Sequence, residues 1–418
     1  MSVRQIRRLS PALSAALLTI VLGGCQTLRP GATVTASGDA AKDVPAVQAA
    51  VDAGGLVRLR GSFDFGDRGR VQLKRDVEIV GVDGATIRGG FFTFFSPLPE
   101  SAAAAAPSPK IAIRNLNLDG ALYGPINIGA ASDLVISGNR ITNLRPFAMA
   151  MPGYPDGQGM AGIFFGTAWS TPPNARRQYL AGVFSGRVLV EENVITLQPA
   201  QPTKTLGYGL MAQFTTGIDA TVRRNTIVGA TRTNIEFIDN YRGPDGRGRI
   251  RIEDNRLVTN EGGIPFPGAQ TPNAILVGYF ADRSAAQDPA RAVDHVVQNN
   301  VIETRGAASM GVAVLTNRAK VTGNRITSRG EKAMPVMVAA SDVEVAGNTV
   351  RGRGATAFYV NGAGPLKGSG NRLSGNDVRD FEAGNAHVTF GKTAEGNTCS
   401  GQQFIVKVSD EGQGNRCP

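Results

Sequence analysis

The chain has 418 residues, of which 42% are hydrophobic and 53 are glycine. This composition excludes a disordered chain, and so much glycine without a collagen period indicates many tight turns between short strands. The formal net charge is +10, which suits acidic polysaccharide, nucleic acid or anionic lipid as partners. Three of these charges, Arg4, Arg7 and Arg8, lie at the extreme N-terminus. The other arginines are scattered, so a solvated basic surface is the alternative to a dedicated anion site.

Residues 1–24 have the pattern of a signal peptide, with a basic start followed by an apolar run at 12–22. The run is short for an uncleaved membrane anchor. It ends in LGGC at Cys25, which is similar to the lipobox of bacterial lipoproteins. The resemblance implies that Cys25 is lipidated, and Gln26 after it favours the outer membrane, on its periplasmic or cell-surface face. Residues 25–42 are small and polar and are predicted to form a flexible tether.

The next segment, 43–55, is predicted to be a short helix that Asp43 caps and Gly54 ends. Residues 57–61 then open the first strand. A helix at this position would cover the first coil of a stacked β-structure and hide its open edge.

A short repeat follows: an apolar residue, Asn, any residue, and then Ile, Val or Leu. Its asparagines are Asn139, Asn193, Asn225, Asn255, Asn300, Asn324, Asn348 and Asn371, with Asn397 as a further copy. The last four intervals are 24, 24, 23 and 26 residues, by subtraction of these positions. Units of this size share one continuous core by stacking, and stacked asparagines at a corner can bond to one another as a ladder.

A second strand recurs in each coil, with apolar residues at every second position. Ile163 and Phe165, like Val312 and Val314, are predicted to point inward. The period of two and the abundance of Gly, Asn and Thr exclude helical repeats. The sequence therefore predicts an all-β fold, a single right-handed parallel β-helix over 43–418.

The capping helix, the strand and the Asn-x-Ile coils together resemble the pectate-lyase-like superfamily of right-handed β-helix proteins, over residues 43–400. The resemblance implies the fold and a protein that handles polysaccharide, without naming a reaction. The chain lacks the Asp-Pro-His-Glu run of alginate epimerases and the Asn-Thr-Asp and Gly-His-Gly motifs of polygalacturonases. The catalytic arginine and calcium cluster of pectate lyases cannot be placed either, so no family site is carried over.

Long insertions flank the second strand in the middle coils and predict two walls with a groove between them. The insertions are 145–160, 198–207 and 260–273 before the strand, and 167–187, 241–249 and 281–294 after it. The alternative is that these loops only cover apolar surface. The predicted groove floor consists of the outward strand residues Phe164, Met211, Gln213, Glu236, Ile238, Leu276, Gly278, Leu315, Met337 and Tyr359.

The densest polar stretch on this face is 234–242. Its predicted catalytic residues are Glu236, Asp239, Tyr241 and Arg242. The predicted substrate-binding residues are Phe164, Gln213, Asn240, Tyr279, Asn317 and Arg318. Paired carboxylates would serve hydrolysis. An arginine with a tyrosine base would serve β-elimination from a uronic acid. Turn-stabilising carboxylates and a solvated arginine are the structural alternatives.

Cys399 and Cys417 are predicted to form a disulfide, because they lie close together in an exported chain. Free thiols are the alternative. The two histidines, His295 and His387, lie far from any cysteine, so no metal site is expected. No cofactor is expected either; calcium stays open as an alternative that the sequence does not indicate.

Three functions remain open on the sequence. The first is a lyase or hydrolase of an acidic polysaccharide at the cell envelope. The second is a non-catalytic polysaccharide-binding or structural outer-membrane lipoprotein, and the third is an accessory to periplasmic metal or export machinery. The expected partners are an acidic polysaccharide and a lipid anchor in the membrane, without nucleic acid, and the protein is expected to be a monomer.

Overall fold

A computed structural model of the protein describes residues 31–97, 108–149, 156–166, 186–262, 272–280, 282–404 and 407–418. These residues form one α-helix, α1 (Ala40–Ala53), a 3-10 turn at Arg283–Ala286, and 35 strands. In chain order the strands are β1 (Ala32–Thr35), β2 (Gly55–Asp64), β3 (Val71–Gln72), β4 (Val77–Arg88), β5 (Phe94–Ser96), β6 (Lys110–Arg114), β7 (Asn117–Asp119), β8 (Ile126–Ile128), β9 (Asp133–Ser137), β10 (Arg140–Thr142), β11 (Phe147–Ala148), β12 (Gln158–Gly166), β13 (Gly186–Glu191), β14 (Val194–Thr196), β15 (Thr205–Gln213), β16 (Ile218–Arg223), β17 (Thr226–Ala230), β18 (Thr233–Ile238), β19 (Arg249–Glu253), β20 (Arg256–Thr259), β21 (Asn273–Gly278), β22 (Asp294–Gln298), β23 (Val301–Thr304), β24 (Met310–Leu315), β25 (Lys320–Thr322), β26 (Arg325–Ser328), β27 (Met334–Val338), β28 (Glu344–Ala346), β29 (Thr349–Val360), β30 (Gly368–Ser369), β31 (Arg372–Ser374), β32 (Asp377–Phe390), β33 (Ala394–Glu395), β34 (Thr398–Ser400) and β35 (Val408–Asp410).

Thirty-three of these strands belong to one continuous sheet, and each coil pairs in parallel with the coil before it and the coil after it. Among the described strands only β11 and β12 pair antiparallel. Three columns of strands result. Sheet 1 contains β9, β13, β16, β19 and β22, sheet 2 contains β10, β14, β17, β20 and β23, and sheet 3 contains β12, β15, β18, β21, β24 and β27. The parallel β-helix predicted from the sequence is therefore confirmed.

The interior of the coil is filled by the alternate residues of all three sheets. In sheet 3, Ile163 stands in register with Leu210, and Val312 with Ile275 and Val336, and all of them are fully buried. The inward positions predicted from period-two alternation are confirmed. Stacked β-branched and leucine side chains of this kind provide most of the stabilisation of such a solenoid.

An asparagine ladder runs along the corner between sheets 1 and 2. The backbone N–H and the Nδ2 of Asn139 both donate to Oδ1 of Asn193, each at 3.0 Å. The same pair of bonds repeats from coil to coil down to Asn348, which donates to Asn376. Every ladder asparagine is buried, so its amide meets backbone groups that would otherwise lack a partner.

The end of this ladder differs from the prediction. The main ladder continues from Asn348 to Asn376, whose N–H donates to Oε1 of Gln402. Asn371 and Asn397 instead form a second ladder with Asn415, at the corner that precedes sheet 1. The segment at 368–376 holds two asparagines five residues apart, and spacing alone cannot assign them to their corners.

The N-terminal cap also differs from the prediction. Strand β1 and the start of α1 lie within the segment expected to be a tether, so the ordered fold begins before residue 43. The helix cap is Asp39, whose carboxylate accepts from the N–H of Ala41. Asp43 lies inside the helix, buried, and accepts from the N–H groups of Ser37 and Asp64. Gly54 ends the helix with a positive φ, as predicted.

The C-terminus is closed by a disulfide between Cys399 and Cys417, which confirms that prediction. The predicted signal peptide and Cys25 lie outside the described residues. In the part of the chain that the structure describes, no helix has the length and apolar character needed to cross a membrane.

Candidate functional site

The outward face of sheet 3 carries a line of residues in strict register. Phe164 pairs with Met211, Met211 with Glu236, and Glu236 with Leu276. The line continues through Ala313, Met337 and Tyr359. Phe164 and Met211 belong to one apolar cluster outside the main core, and Leu276, Ala313 and Met337 belong to another.

The C-terminal half of this face forms a groove of about 270 Å³. Its lining side chains come from β21, β24, β27 and β29, from the turns that follow them, and from Arg232 before β18. They are Arg232, Asn273, Leu276, Phe280, Arg283, Met310, Ala313, Leu315, Met334, Met337, Ala339, Tyr359, Asn361 and Ala363. The predicted walls of the middle coils, 167–187 and 260–273, lie largely outside the described residues.

A buried cation lies at the end of the groove where the strands of sheet 3 begin. Arg232 immediately precedes β18 and is only 6% exposed, and its Nη1 has no hydrogen-bond partner. Asn273, at the start of β21, is 4% exposed and its Oδ1 likewise lacks a partner. Arg283 lies beyond the other end of the strands, with its guanidinium 5.7 Å from the centre of the Phe280 ring. The groove therefore has a cation beside each end of an apolar floor.

Glu236 lies beside this groove and is almost fully buried. Gln213 donates from Nε2 to Glu236 Oε1 at 2.6 Å, and the Thr233 hydroxyl donates to Oε2 at 3.2 Å. Burial raises the pKa of Glu236, while the guanidinium of Arg232 opposes the rise. Burial also raises the pKa of Tyr208, and the negative charge of Glu236 adds to that effect. Perturbed groups clustered beside a groove are typical of functional sites.

The corner after β18 holds three predicted site residues in structural contacts. Asp239 has a left-handed φ of 53°, and its Oδ1 accepts from the N–H of Phe280 at 3.0 Å. The Thr215 hydroxyl donates to Oδ1 of Asn240. Tyr279 donates from its hydroxyl to the Asn240 carbonyl at 2.6 Å. All three predicted residues are buried, and none of them lines the groove.

Tyr241 and Arg242 lie further along the same corner. The Tyr241 ring packs 5.6 Å from that of Tyr279 and lies 5.4 Å from the guanidinium of Arg291. Arg242 forms an ion pair with Asp294 at 3.1 Å. It lines a separate polar cavity of about 230 Å³. The structure thus does not bring these two residues into the groove.

The remaining predicted residues divide between the face and its turns. Phe164 packs against Met211 towards the N-terminal coils, and Gln213 is held against Glu236. Asn317 accepts from the N–H of Ser341 at 2.9 Å in the turn after β24, where Arg318 has a left-handed backbone. No two acidic side chains face each other across the groove, because none of its described lining residues is Asp or Glu.

Arg232 is a groove residue that the sequence did not indicate. It precedes the strand that carries Glu236, and nothing in its spacing distinguishes it from the scattered surface arginines. Met310 and Met334 were also missed, although a signal was present. They stand 24 residues apart, by subtraction, which is the length of one coil, so they had to stack. Among the described residues, no three His, Cys, Asp or Glu side chains are arranged to hold a metal ion.

The parallel columns and the single continuous sheet define the chain as a parallel β-helix protein. Among solved structures it is similar to an alginate lyase from Paenibacillus sp. str. FPU-7, with 14% identity over 92% of this chain and 99% of that one, at a TM-score of 0.42. It is also similar to PfbA, a surface adhesin of Streptococcus pneumoniae, with 13% identity over 89% and 91% of the two chains and a TM-score of 0.45. The A-module of the Azotobacter vinelandii mannuronan C-5 epimerase AlgE6 gives 14% identity over 92% and 97%, with a TM-score of 0.38. No family model and no curated protein matches the chain. The likeness to the solved structures is one of fold.

Proposed function

We propose that this protein binds an acidic polysaccharide in the groove on the outer face of sheet 3. The observation that carries the proposal is Arg232, a buried guanidinium with an unpartnered Nη1 in the groove lining. A buried N–H donor without a hydrogen-bond partner is unfavourable, even where a carboxylate such as that of Glu236 balances part of the charge. A carboxylate of the polymer would accept a charge-assisted hydrogen bond from this nitrogen.

The other side chains of the groove support a sugar ligand. Phe280 and Tyr359 present half-buried rings on which the apolar face of a sugar can pack. Arg283 supplies a second cation at the far end of the strands. The net charge of +10 would attract a polyanion from a distance.

Binding without hydrolysis is favoured by the chemistry of the lining. Glycoside hydrolysis requires two carboxyl groups about 5 to 9.5 Å apart around the bond that breaks. The described lining of the groove contains no carboxylate. Glu236 is held by Gln213 and Thr233 beneath the face and has no second acid opposite it in the groove.

Cleavage by β-elimination is the second candidate, because Tyr359 and Arg232 both line the groove. The arginine would neutralise the uronate carboxylate, and Tyr359, after its hydroxyl proton has passed to solvent, would take the proton from C5 as a phenolate. The C4–O bond would then break as the C4=C5 double bond forms, and the leaving oxygen would take up a proton. The Tyr359 hydroxyl already accepts a hydrogen bond from Nδ2 of Asn361 at 3.0 Å, which holds it in place.

The test uses the full-length protein in detergent and a panel of polyuronates and neutral polysaccharides. Binding is measured by calorimetry at two salt concentrations, since an anion contact weakens with ionic strength. Arg232→Gln and Arg283→Gln should each lower the affinity for polyuronates about tenfold or more. The matched control is Arg325→Gln, which removes an exposed arginine far from the groove.

Two outcomes decide between the candidates. If both groove variants bind polyuronates as tightly as the control variant does, the groove is not the binding site. The same samples are followed for the ultraviolet absorbance of an unsaturated product and for new reducing ends. Product that forms with the native protein and disappears with Tyr359→Phe would establish a lyase.

We also propose that Cys25 is lipidated and anchors the protein in the outer membrane. The support is the apolar run followed by LGGC and the presence of Gln26 rather than Asp after the cysteine. Metabolic labelling with a fatty acid should mark the native protein and not Cys25→Ser. Recovery of both forms in the same membrane fraction would contradict the proposed anchor.

A further inference from the structure

The groove has too little hydrogen-bonding capacity for a bare sugar chain. Its floor is an apolar cluster outside the main core, formed by Leu276, Ala313, Leu315 and Ala339, with Met337 packed against it. An unsubstituted polysaccharide presents hydroxyl groups on every unit, and a hydroxyl moved from water to an apolar surface without a partner is penalised. The floor therefore disfavours a ligand whose surface is rich in hydroxyl groups.

The polar groups of the lining are few and partly used. Asn361 accepts through Oδ1 from the N–H and the hydroxyl of Thr393, at 3.1 and 2.6 Å, and donates through Nδ2 to the Tyr359 hydroxyl. Asn273 and Arg232 retain free polar atoms at the start of the strands. Between these atoms and Arg283 the lining is mostly apolar, and its polar side-chain groups are the Tyr359 hydroxyl and the Asn361 amide.

Methionine is concentrated here. Three of the eight methionines of the chain, Met310, Met334 and Met337, line this one groove, and all three are half-buried. Methionine is unbranched and polarisable, and it adapts to apolar groups of irregular shape. Such a surface suits small apolar substituents at varying positions along a polymer.

We infer that the ligand is an acidic polysaccharide that carries short acyl esters, such as O-acetyl groups, on its hydroxyls. This rests on the proposed function, whose anion contact at Arg232 it keeps. Esterification replaces a hydroxyl donor by an acyl group. Its methyl group packs on the methionine and leucine floor, and its carbonyl oxygen only accepts hydrogen bonds.

The experiment compares one O-acetylated polyuronate with the same polymer after mild alkaline de-esterification, which leaves its carboxylates intact. An O-acetylated neutral polysaccharide is the third ligand. The full-length protein should bind the acetylated polyuronate more tightly than the de-esterified form, by about fourfold for each buried methyl group. Met337→Gln should reduce this ratio towards one. Met149→Gln, a half-buried methionine outside the groove, is the matched control and should leave the ratio unchanged.

The outcomes separate the two proposals. Equal affinity for the acetylated and the de-esterified polyuronate would overturn the acyl inference and leave the polysaccharide proposal standing. Failure to bind either polyuronate would overturn the proposed function itself. Binding of the acetylated neutral polymer as tightly as the acidic one would contradict the role of Arg232 in both. Thermal unfolding of each variant establishes that it is folded before its binding is compared.

Discussion

His295, a buried histidine inside the coil, should make the stability of the protein depend on pH. It lies in β22, in register with the inward-facing Ile250, and is 1% exposed. Neither of its ring nitrogens has a hydrogen-bond partner of normal geometry. Burial lowers its pKa from 6.5 to about 4, with the charge of the neighbouring Asp294 acting in the opposite direction.

The sign and size of the effect follow from linkage. Below pH 6.5 the unfolded chain binds a proton at this residue that the folded chain does not, so folding loses stability as the pH falls towards 4. The difference of about 2.5 pH units, from 6.5 to about 4, corresponds to a loss on the order of 3 kcal/mol at about 1.36 kcal/mol per unit. Above pH 6.5 the neutral ring contributes no pH dependence.

The assay is urea denaturation at neutral pH and at pH values between 6.5 and 4. His295→Leu should remove most of the loss in the free energy of unfolding over this window. At neutral pH it should be at least as stable as the native protein, because an apolar side chain replaces two unpaired buried nitrogens. The control, His387→Leu, removes the other histidine and should retain the loss that His295 causes. An undiminished acid loss in His295→Leu would refute this account.

Three further predictions concern the ladder, the C-terminus and the groove. Asn255→Ala removes five side-chain hydrogen bonds from the ladder. It should lower the free energy of unfolding, measured by urea denaturation, by on the order of 3 kcal/mol. An unchanged midpoint would mean that water replaces the ladder. Replacing Cys399 and Cys417 by serine should lower the free energy of unfolding by about 3 kcal/mol, since 18 positions separate the two cysteines. In thermal unfolding, the native protein treated with reductant should be destabilised like the serine variant. An anion bound at Arg232 should raise the pKa of Glu236 further, so affinity for a polyuronate should increase as the pH falls towards that pKa, while the polymer stays ionised. Glu236→Gln should bind without this pH dependence, and calorimetry in which both proteins show the same dependence would contradict the coupling.

The interior of the coil could be predicted from the sequence because its physics is repetitive. Each inward position needs an apolar side chain at every second residue, so Ile163 and Val312 can be assigned without a structure. Each corner asparagine must meet the same backbone groups in successive coils, which fixed the spacing from Asn300 to Asn348. The prediction failed where one coil offered two asparagines, and at Asp43, whose carboxylate serves β2 and the segment before the helix rather than the helix cap.

The outer face could not be predicted in the same way, because no common rule constrains it. Register placed Glu236 and Leu276 side by side, as the alternation required. Whether each outward side chain meets solvent, a turn or a ligand depends on the turns, which vary from coil to coil. Asp239 and Tyr279 look like site residues in the sequence and are used to hold a corner. Arg232 looks like a surface cation and is buried in the groove lining without a partner for its Nη1. In this solenoid, the residue proposed to contact the ligand is therefore one whose burial the repeat does not require, and a structure is needed to find it.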